Sequence, residues 1–396
     1  MNRNYLNVFL LFIGQGFTGS IVSLLTLSSP LVGRQLSPFD FLSTLPVTAT
    51  VYGAALMVYG ASMLMEKYGR RNAFIAGNLI GLFGSGLAGG AIIFQSFTFF
   101  TLGTFILGGS TVFNQYYRFA AAEVFEHESS RKKAISLIIG GGVFGGISGP
   151  YLASKGAEWL PDYPFAGAFL ISAIICILTL ITQLFIRLPI VRQKNTLLSS
   201  RNDNKNSSLE RLLKSKLFLS ATVSCAVAFS VMTLLMNATP LAMSHQQFAI
   251  EESALVLQWH FFAMYAPALL LPFLVDRFKI SSLIMSGSIF FIIGIVIALT
   301  WDGVSGFLLS LVFIGIGWAF MFNGGTFLLN GFIGSPFKHK LQGVNSLITY
   351  LSNMLASLSV GMVMSDQAGW HILNIVSMVI IVGFVFWFIS KNNRIY

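Results

Sequence analysis

Apolar residues run through this chain in long stretches, and the polar residues between them gather in short clusters. A helix needs about 20 apolar residues to cross the hydrocarbon core of a bilayer. Stretches of that order occupy 7–30, 41–65, 72–94, 97–119, 133–155, 165–188, 216–240, 252–275, 280–300, 304–330, 341–364 and 370–390, which predicts twelve membrane-spanning helices. The widest polar interval, 189–215, carries Arg192, Lys194, Arg201, Asp203 and Lys205 among Asn and Ser. It reads as a linker at the middle of the chain, and its later part, Leu209 to Leu217, either forms a short surface helix or stays a polar tether.

Composition turns this pattern into a class. Of the 396 residues, 55% are hydrophobic and 10% charged, with a mean hydropathy of +0.76. A soluble domain carries about a quarter charged residues, so no water-facing surface can be built here. The 38 Phe suit lipid, and the 38 Gly let helices approach closely.

The net charge of +10 does not indicate nucleic-acid binding, because the basic residues lie between apolar stretches and form no single stripe. They instead set orientation. With both termini cytoplasmic, all Lys and Arg except Arg34, Lys155 and Arg118 fall on the cytoplasmic side, beside anionic lipid head groups. An even number of spans in the cell inner membrane follows, with Arg3 and the first apolar run read as a retained helix.

An internal repeat divides the chain. Gly108-Gly109-Ser110-Thr111-Val112-Phe113-Asn114 in the fourth span matches Gly324-Gly325-Thr326-Phe327-Leu328-Leu329-Asn330 in the tenth. Glu66-Lys67-Tyr68-Gly69 after the second span echoes Asp276-Arg277-Phe278-Lys279 after the eighth. The expected fold is therefore an all-α membrane protein, with twelve transmembrane helices in two pseudo-symmetric six-helix bundles. Residues 1–188 form one bundle, 189–215 the linker and 216–396 the other.

The stretch Ser62 to Arg71, ending Glu66-Lys67-Tyr68-Gly69-Arg70-Arg71, resembles the signature between helices two and three of the major facilitator superfamily, and the likeness extends over the whole chain. Ser62 stands where a Gly is usual and Glu66 where an Asp is usual. The resemblance implies a gate in which Glu66, Arg70 and Arg71, with Asp276 and Arg277, tie helix ends together on the cytoplasmic side in the outward-open state. The alternative is that the arginines only set topology.

Gly145, Gly149 and Pro150, within Gly145 to Ser154, are similar to that family's antiporter motif on helix five, with Ala153 and Ser154 replacing closing glycines. The motif implies proton-coupled export; close helix packing is the plainer use of the same small residues. The Arg common in helix four of the family would align near Thr104, so its proton-coupling role is not carried over.

In such folds the solute binds between the halves on helices one, four, seven and ten. Polar residues there are Gln15, Asn114, Gln115, Asn237, Trp318 and Asn323. Each could bind solute or bond a neighbouring helix. No carboxylate falls at mid-membrane, which leaves His260 in the eighth span as the coupling candidate, or else as a histidine bonded between helices. Arg118 either snorkels, binds an anionic group or pairs with Glu123.

Cys176 and Cys225 have no partner at ligand spacing, and Met232, Met236, Met243, Met264, His245 and His260 form no compact set, so no metal is expected. No cofactor, nucleotide loop or catalytic cluster is visible, which argues against an enzyme. The expected activity is secondary transport by a monomer, whose partners are a small solute, protons and membrane lipid. The solute is a drug-like compound or a secreted metabolite such as a siderophore, exported or, alternatively, imported. A non-transporting sensor or scaffold is the rival class.

Overall fold

The computed structural model describes residues 3–125, 127–188, 209–275, 277–329, 332, 337–366 and 368–392. All regular structure among them is helical. The first half contains α1 (Arg3–Leu36), α2 (Leu45–Tyr68), α3 (Arg70–Ile93), α4 (Phe97–Thr111), α5 (Glu128–Glu158) and α6 (Ala166–Phe185). The second contains α7 (Lys216–His245), α8 (Ile250–Val275), α9 (Ile280–Thr300), α10 (Val304–Leu329), α11 (Lys338–Val363) and α12 (Gly369–Asn392). Ten of these crossings are long and apolar enough to span a membrane by composition alone. With 31 and 26 residues, α5 and α8 complete the twelve. Arg3 and Asn392, the ends of the described chain, lie on one face after twelve crossings, called here the terminal face, and the opposite side is the loop face.

The same packing recurs in each half. In the first, α1 packs on α5 and α6, α2 on α4, and α3 on α4 and α6; in the second, α7 packs on α11 and α12, α8 on α10, and α9 on α10 and α12. This correspondence is what a duplicated six-helix unit produces. Lipid offers apolar side chains no less comfort than protein does, so helices associate through close van der Waals fit and internal polar bonds. The exposed stripe of α6 fits that setting: Leu170, Ile174, Ile177, Ile181 and Leu184, one helical face, are all apolar.

The fourth crossing is not one continuous α-helix. After α4 the chain tightens into a 3-10 segment, Val112–Tyr116, and then resumes as a short helix, Tyr117–Glu123. The cause lies in the preceding turn. Ser110 and Thr111 donate their hydroxyls back to the carbonyls of Leu107 and Gly108 at 2.7 Å, drawing acceptors away from the regular ladder. Asn114 and Gln115 sit in that tightened segment.

Residues 189–208 of the linker and Asp276 lie outside the described residues. The expected surface helix begins as a helical turn over 209–213, where Leu209, Leu212 and Leu213 pack against Phe218, Leu329 and Phe332. Glu210 and Lys214, four apart on its water side, pair at 2.5 Å.

Candidate functional site

The two halves meet through symmetry-related pairs: α5 on α8, α2 on α11, and α1 on α7. The contacts run from mid-membrane toward the loop face. A side chain on Gly142 would approach Tyr265, and one on Gly146 would overlap Phe261. Nearer the loop face, Gln258 Nε2 donates to the Ile147 carbonyl at 2.8 Å, Lys155 pairs with Glu251 at 3.5 Å, and Arg34 reaches Ser244 at 3.4 Å. The polar links between α2 and α11, through Thr44, Thr48, Ser357 and Gly361, also lie there. Among the described residues, the polar links between the halves thus gather at the loop face.

The region between the halves on the terminal side of these links is the candidate solute path. Gln115 and Arg118 are exposed on the fourth crossing, and Tyr350 of α11 is within electrostatic reach of Tyr116 and Arg118 from the other half. On the second half, Trp318 and Phe322 of α10 stack nearly parallel, with centroids 4.9 Å apart and planes at 8°. Phe229 of α7 meets both rings edge-on, at 5.5 and 5.1 Å. Such edge and offset contacts hold aromatic rings rigidly. The indole Nε1–H of Trp318 is buried without a hydrogen-bond partner.

The six predicted solute contacts do not form one ring. Gln15 is half-buried where α1 touches Gly141 of α5. Asn114 is buried in the tightened segment, whereas its neighbour Gln115 is exposed. Trp318 belongs to the aromatic cluster, and Asn323, half-buried one turn along, donates to the Ala319 carbonyl of its own helix at 2.6 Å. Asn237 lies two turns from Phe229 toward the loop face and donates to Ser357 Oγ at 3.1 Å. Sequence reasoning missed Phe229 and Phe322, because aromatic residues are common in every span and carry no signal of their own.

His260 is fully buried, and its Nδ1 lies 2.7 Å from the Leu311 carbonyl of α10. A carbonyl only accepts, so Nδ1 carries the proton and Nε2 is left as an acceptor, which has no partner. The ring therefore bridges α8 and α10.

The signature between α2 and α3 is wired differently from the expected gate. Arg70 grips Glu123 with two bonds, Nε to Oε2 at 2.7 Å and Nη2 to Oε1 at 2.5 Å. Glu66 is exposed and makes no ion pair among the described residues, and the Glu123 carboxylate pairs with Arg70. Arg71 donates to the carbonyls of Gln183 and Leu184 at the end of α6. Both arginines thus bind within their own half. Arg277 is exposed, and Asp276 lies outside the described residues.

On helix five, the small residues have a packing role. A side chain on Gly145 would lie 2.7 Å from the Gly16 carbonyl, and one on Gly149 would overlap Ser23 Oγ and the Ser20 carbonyl, so α1 and α5 meet backbone to backbone. Pro150 follows inside the same helix, where it removes one backbone donor.

The family model described as Major Facilitator Superfamily matches residues 5–357. The chain belongs to the Major Facilitator Superfamily. Proteins of this superfamily carry small-molecule solutes, and the present chain is a multi-pass membrane transporter, not an enzyme. It is 32% identical over 368 residues to the riboflavin transporter RfnT of Brucella anthropi, covering 93% of this chain and 91% of that one. It is 27% identical to the uncharacterized MFS-type transporter YdeG of Bacillus subtilis, covering 91% of this chain and 86% of the other. Among solved structures, a mutant of the nucleoside transporter NupG superposes with a TM-score of 0.78 at 14% identity, over 98% of this chain and 100% of that one. A bacterial homologue of the human lysosomal transporter Spinster, inward-facing and unoccupied, gives 0.76 at 13% identity, covering 99% and 98% of the two chains. These two likenesses show the superfamily fold.

Proposed function

We propose that this transporter carries a flavin-class solute, riboflavin first among them, across the inner membrane by alternating access, with both termini in the cytoplasm. The observation that carries the reading is the 32% identity to RfnT along nearly the whole of both chains. The chemistry of the candidate solute path supports it. Riboflavin is a planar aromatic ring system with polar edges and a hydroxylated tail. The Phe229–Trp318–Phe322 cluster, with Trp318 buried and Phe229 and Phe322 half-buried, supplies aromatic surface, and Gln115 and Asn323 offer amides that both donate and accept.

Labelled riboflavin in proteoliposomes tests this, with flux followed in both directions. Saturable flux is expected, and Trp318→Ala is expected to lower it about tenfold, the loss of one well-packed aromatic contact. No flux of riboflavin above empty vesicles overturns the reading. The same measurement decides between uptake and the export implied by the helix-five motif, whose glycines are accounted for by the α1–α5 contact whichever way solute moves.

For His260 the reading is a bond between helices, separate from ion coupling. Its carbonyl contact and full burial support this. His260→Ala is expected to lower thermal stability by about 1–2 kcal/mol, as for a lost buried hydrogen bond, while the pH profile of riboflavin flux keeps its shape. A flattened pH profile in this variant returns the residue to a coupling role.

A further inference from the structure

The closure between α2 and α11 is made of neutral groups whose protons can be assigned. Thr48 Oγ1 lies 3.0 Å from the Thr44 carbonyl, which can only accept, so Thr48 donates there. In the 2.6 Å contact between Thr48 and Ser357 hydroxyls, Ser357 is then the donor. With its single proton so placed, Ser357 accepts from Asn237, whose Nδ2 is 3.1 Å away. A second pair of bonds returns through Thr44, whose hydroxyl donates to the Ser357 carbonyl at 3.1 Å and accepts from the Gly361 N–H at 3.0 Å. Ser357 therefore engages α2 with both its side chain and its backbone, and it is fully buried.

The backbones can come this close because Gly361 has no side chain. A Cβ there would lie 2.5 Å from the Phe41 carbonyl and 2.7 Å from Thr44 Oγ1. Gly361 and Ser357 end a stripe on α11 that repeats every four residues, Asn345, Thr349, Asn353, Ser357, all buried. Asn353 accepts from Thr233 one turn before Asn237, so α7 and α11 are laced side by side and Asn237 holds Ser357 in position. Among the other polar links at the loop face, the ion pair of Lys155 with Glu251 spans 3.5 Å between side chains 43% and 46% exposed. Water and salt weaken a pair of that kind, whereas dry hydroxyl bonds reinforce one another.

We infer that Ser357 is the pin of a hydroxyl latch between α2 and α11, positioned by Asn237, and that this latch, not the Lys155–Glu251 pair, sets how often the loop face opens. The inference rests on the reading of the chain as a carrier whose halves part at that face. It is tested by the reaction rate of a reporter thiol, which needs no solute. Ser43 is buried and lines a crevice between the halves with Asp40, Leu241, His245 and Met364. In a Cys176→Ala, Cys225→Ala background, Ser43→Cys is exposed to a charged maleimide in the purified full-length protein.

Ser357→Ala and Thr48→Val are each expected to raise the labelling rate about fivefold, the effect of one net hydrogen bond. Thr48→Ser, which keeps the hydroxyl, is expected to label at the parental rate, as are Lys155→Ala and the parent at high salt. Thr48→Val approaches the same bond from the other half, so a Ser357 variant that fails to fold leaves the test intact. Labelling that ignores both latch variants, or that rises as much with Lys155→Ala, overturns the latch. Labelling absent from every variant overturns the parting of the halves, and the carrier reading with it.

Discussion

Gly108→Val is expected to lower the melting midpoint of the folded protein sharply, whereas Gly90→Ala leaves it unchanged. At Gly108 the backbones of α4 and α2 are in direct contact: a Cβ there would overlap the backbone of Thr50. The contact is reciprocal, because a Cβ on Gly53 of α2 would overlap the Phe105 carbonyl of α4. Neither obstacle is a flexible side-chain tip, so the substitution can be accommodated only by separating the two helices along their crossing. That sacrifices the close fit which, in a bilayer, is the main source of helix association. A cost of about 3 kcal/mol, at the upper end of overpacking penalties, is expected. Gly90 has no atom within 4 Å of an added Cβ, and a change there should stay within about 0.5 kcal/mol. Thermal melting of the detergent-solubilised variants measures both, and equal midpoints would remove the argument from backbone contact.

The second large effect is expected at Arg70 and Glu123. Their side chains are 24% and 32% exposed, and the guanidinium binds the carboxylate through two parallel bonds. Bidentate geometry makes this stronger than an ordinary surface pair, and partial burial leaves the remaining charge poorly hydrated when one partner is removed. Glu123→Gln is expected to cost about 1–2 kcal/mol of thermal stability, and the exchange Arg70→Glu with Glu123→Arg to recover part of it. Glu66→Gln, at an exposed carboxylate with no ion pair among the described residues, is expected to stay within about 0.5 kcal/mol. If Glu66 belongs to a gate in the opposite state of the cycle, its neutralisation changes flux without changing the melting midpoint. A melting loss for Glu66→Gln equal to that for Glu123→Gln would contradict the pairing described here.

Much of the architecture was legible because lipid imposes a simple rule on sequence. Every backbone donor and acceptor in hydrocarbon must be satisfied within its own helix, so a crossing appears as an unbroken apolar stretch. The Gly108–Asn114 and Gly324–Asn330 echo exposed the duplication for a related reason: both segments carry the small residues that each half needs for its own close contacts. A four-residue repeat at Asn345, Thr349, Asn353, Ser357 and Gly361 is equally visible in the sequence, but its role is not, because hydroxyls and amides in a span serve neighbouring helices as readily as solute.

The site was harder to read. Asn237 and Trp318 looked alike as polar residues on solute-lining helices, yet one is held by Ser357 and the other stacks on Phe322. Arg70 had Glu66 four residues before it, and its partner proved to be Glu123, 53 positions away. Proximity in sequence ranks possible partners; it does not choose among them.

What the sequence by itself determined is the class, the crossings and the duplicated plan, because these follow from transfer of apolar side chains and satisfied backbone into lipid, properties each segment carries alone. Only the tertiary structure decided at which face the polar links between the halves gather, which carboxylate holds Arg70, and that Ser357 sits at the centre of the links between α2 and α11. Those outcomes depend on distances between helices, and hydrogen bonds and ion pairs act over a few ångströms with strict direction, so no single stretch of chain contains them.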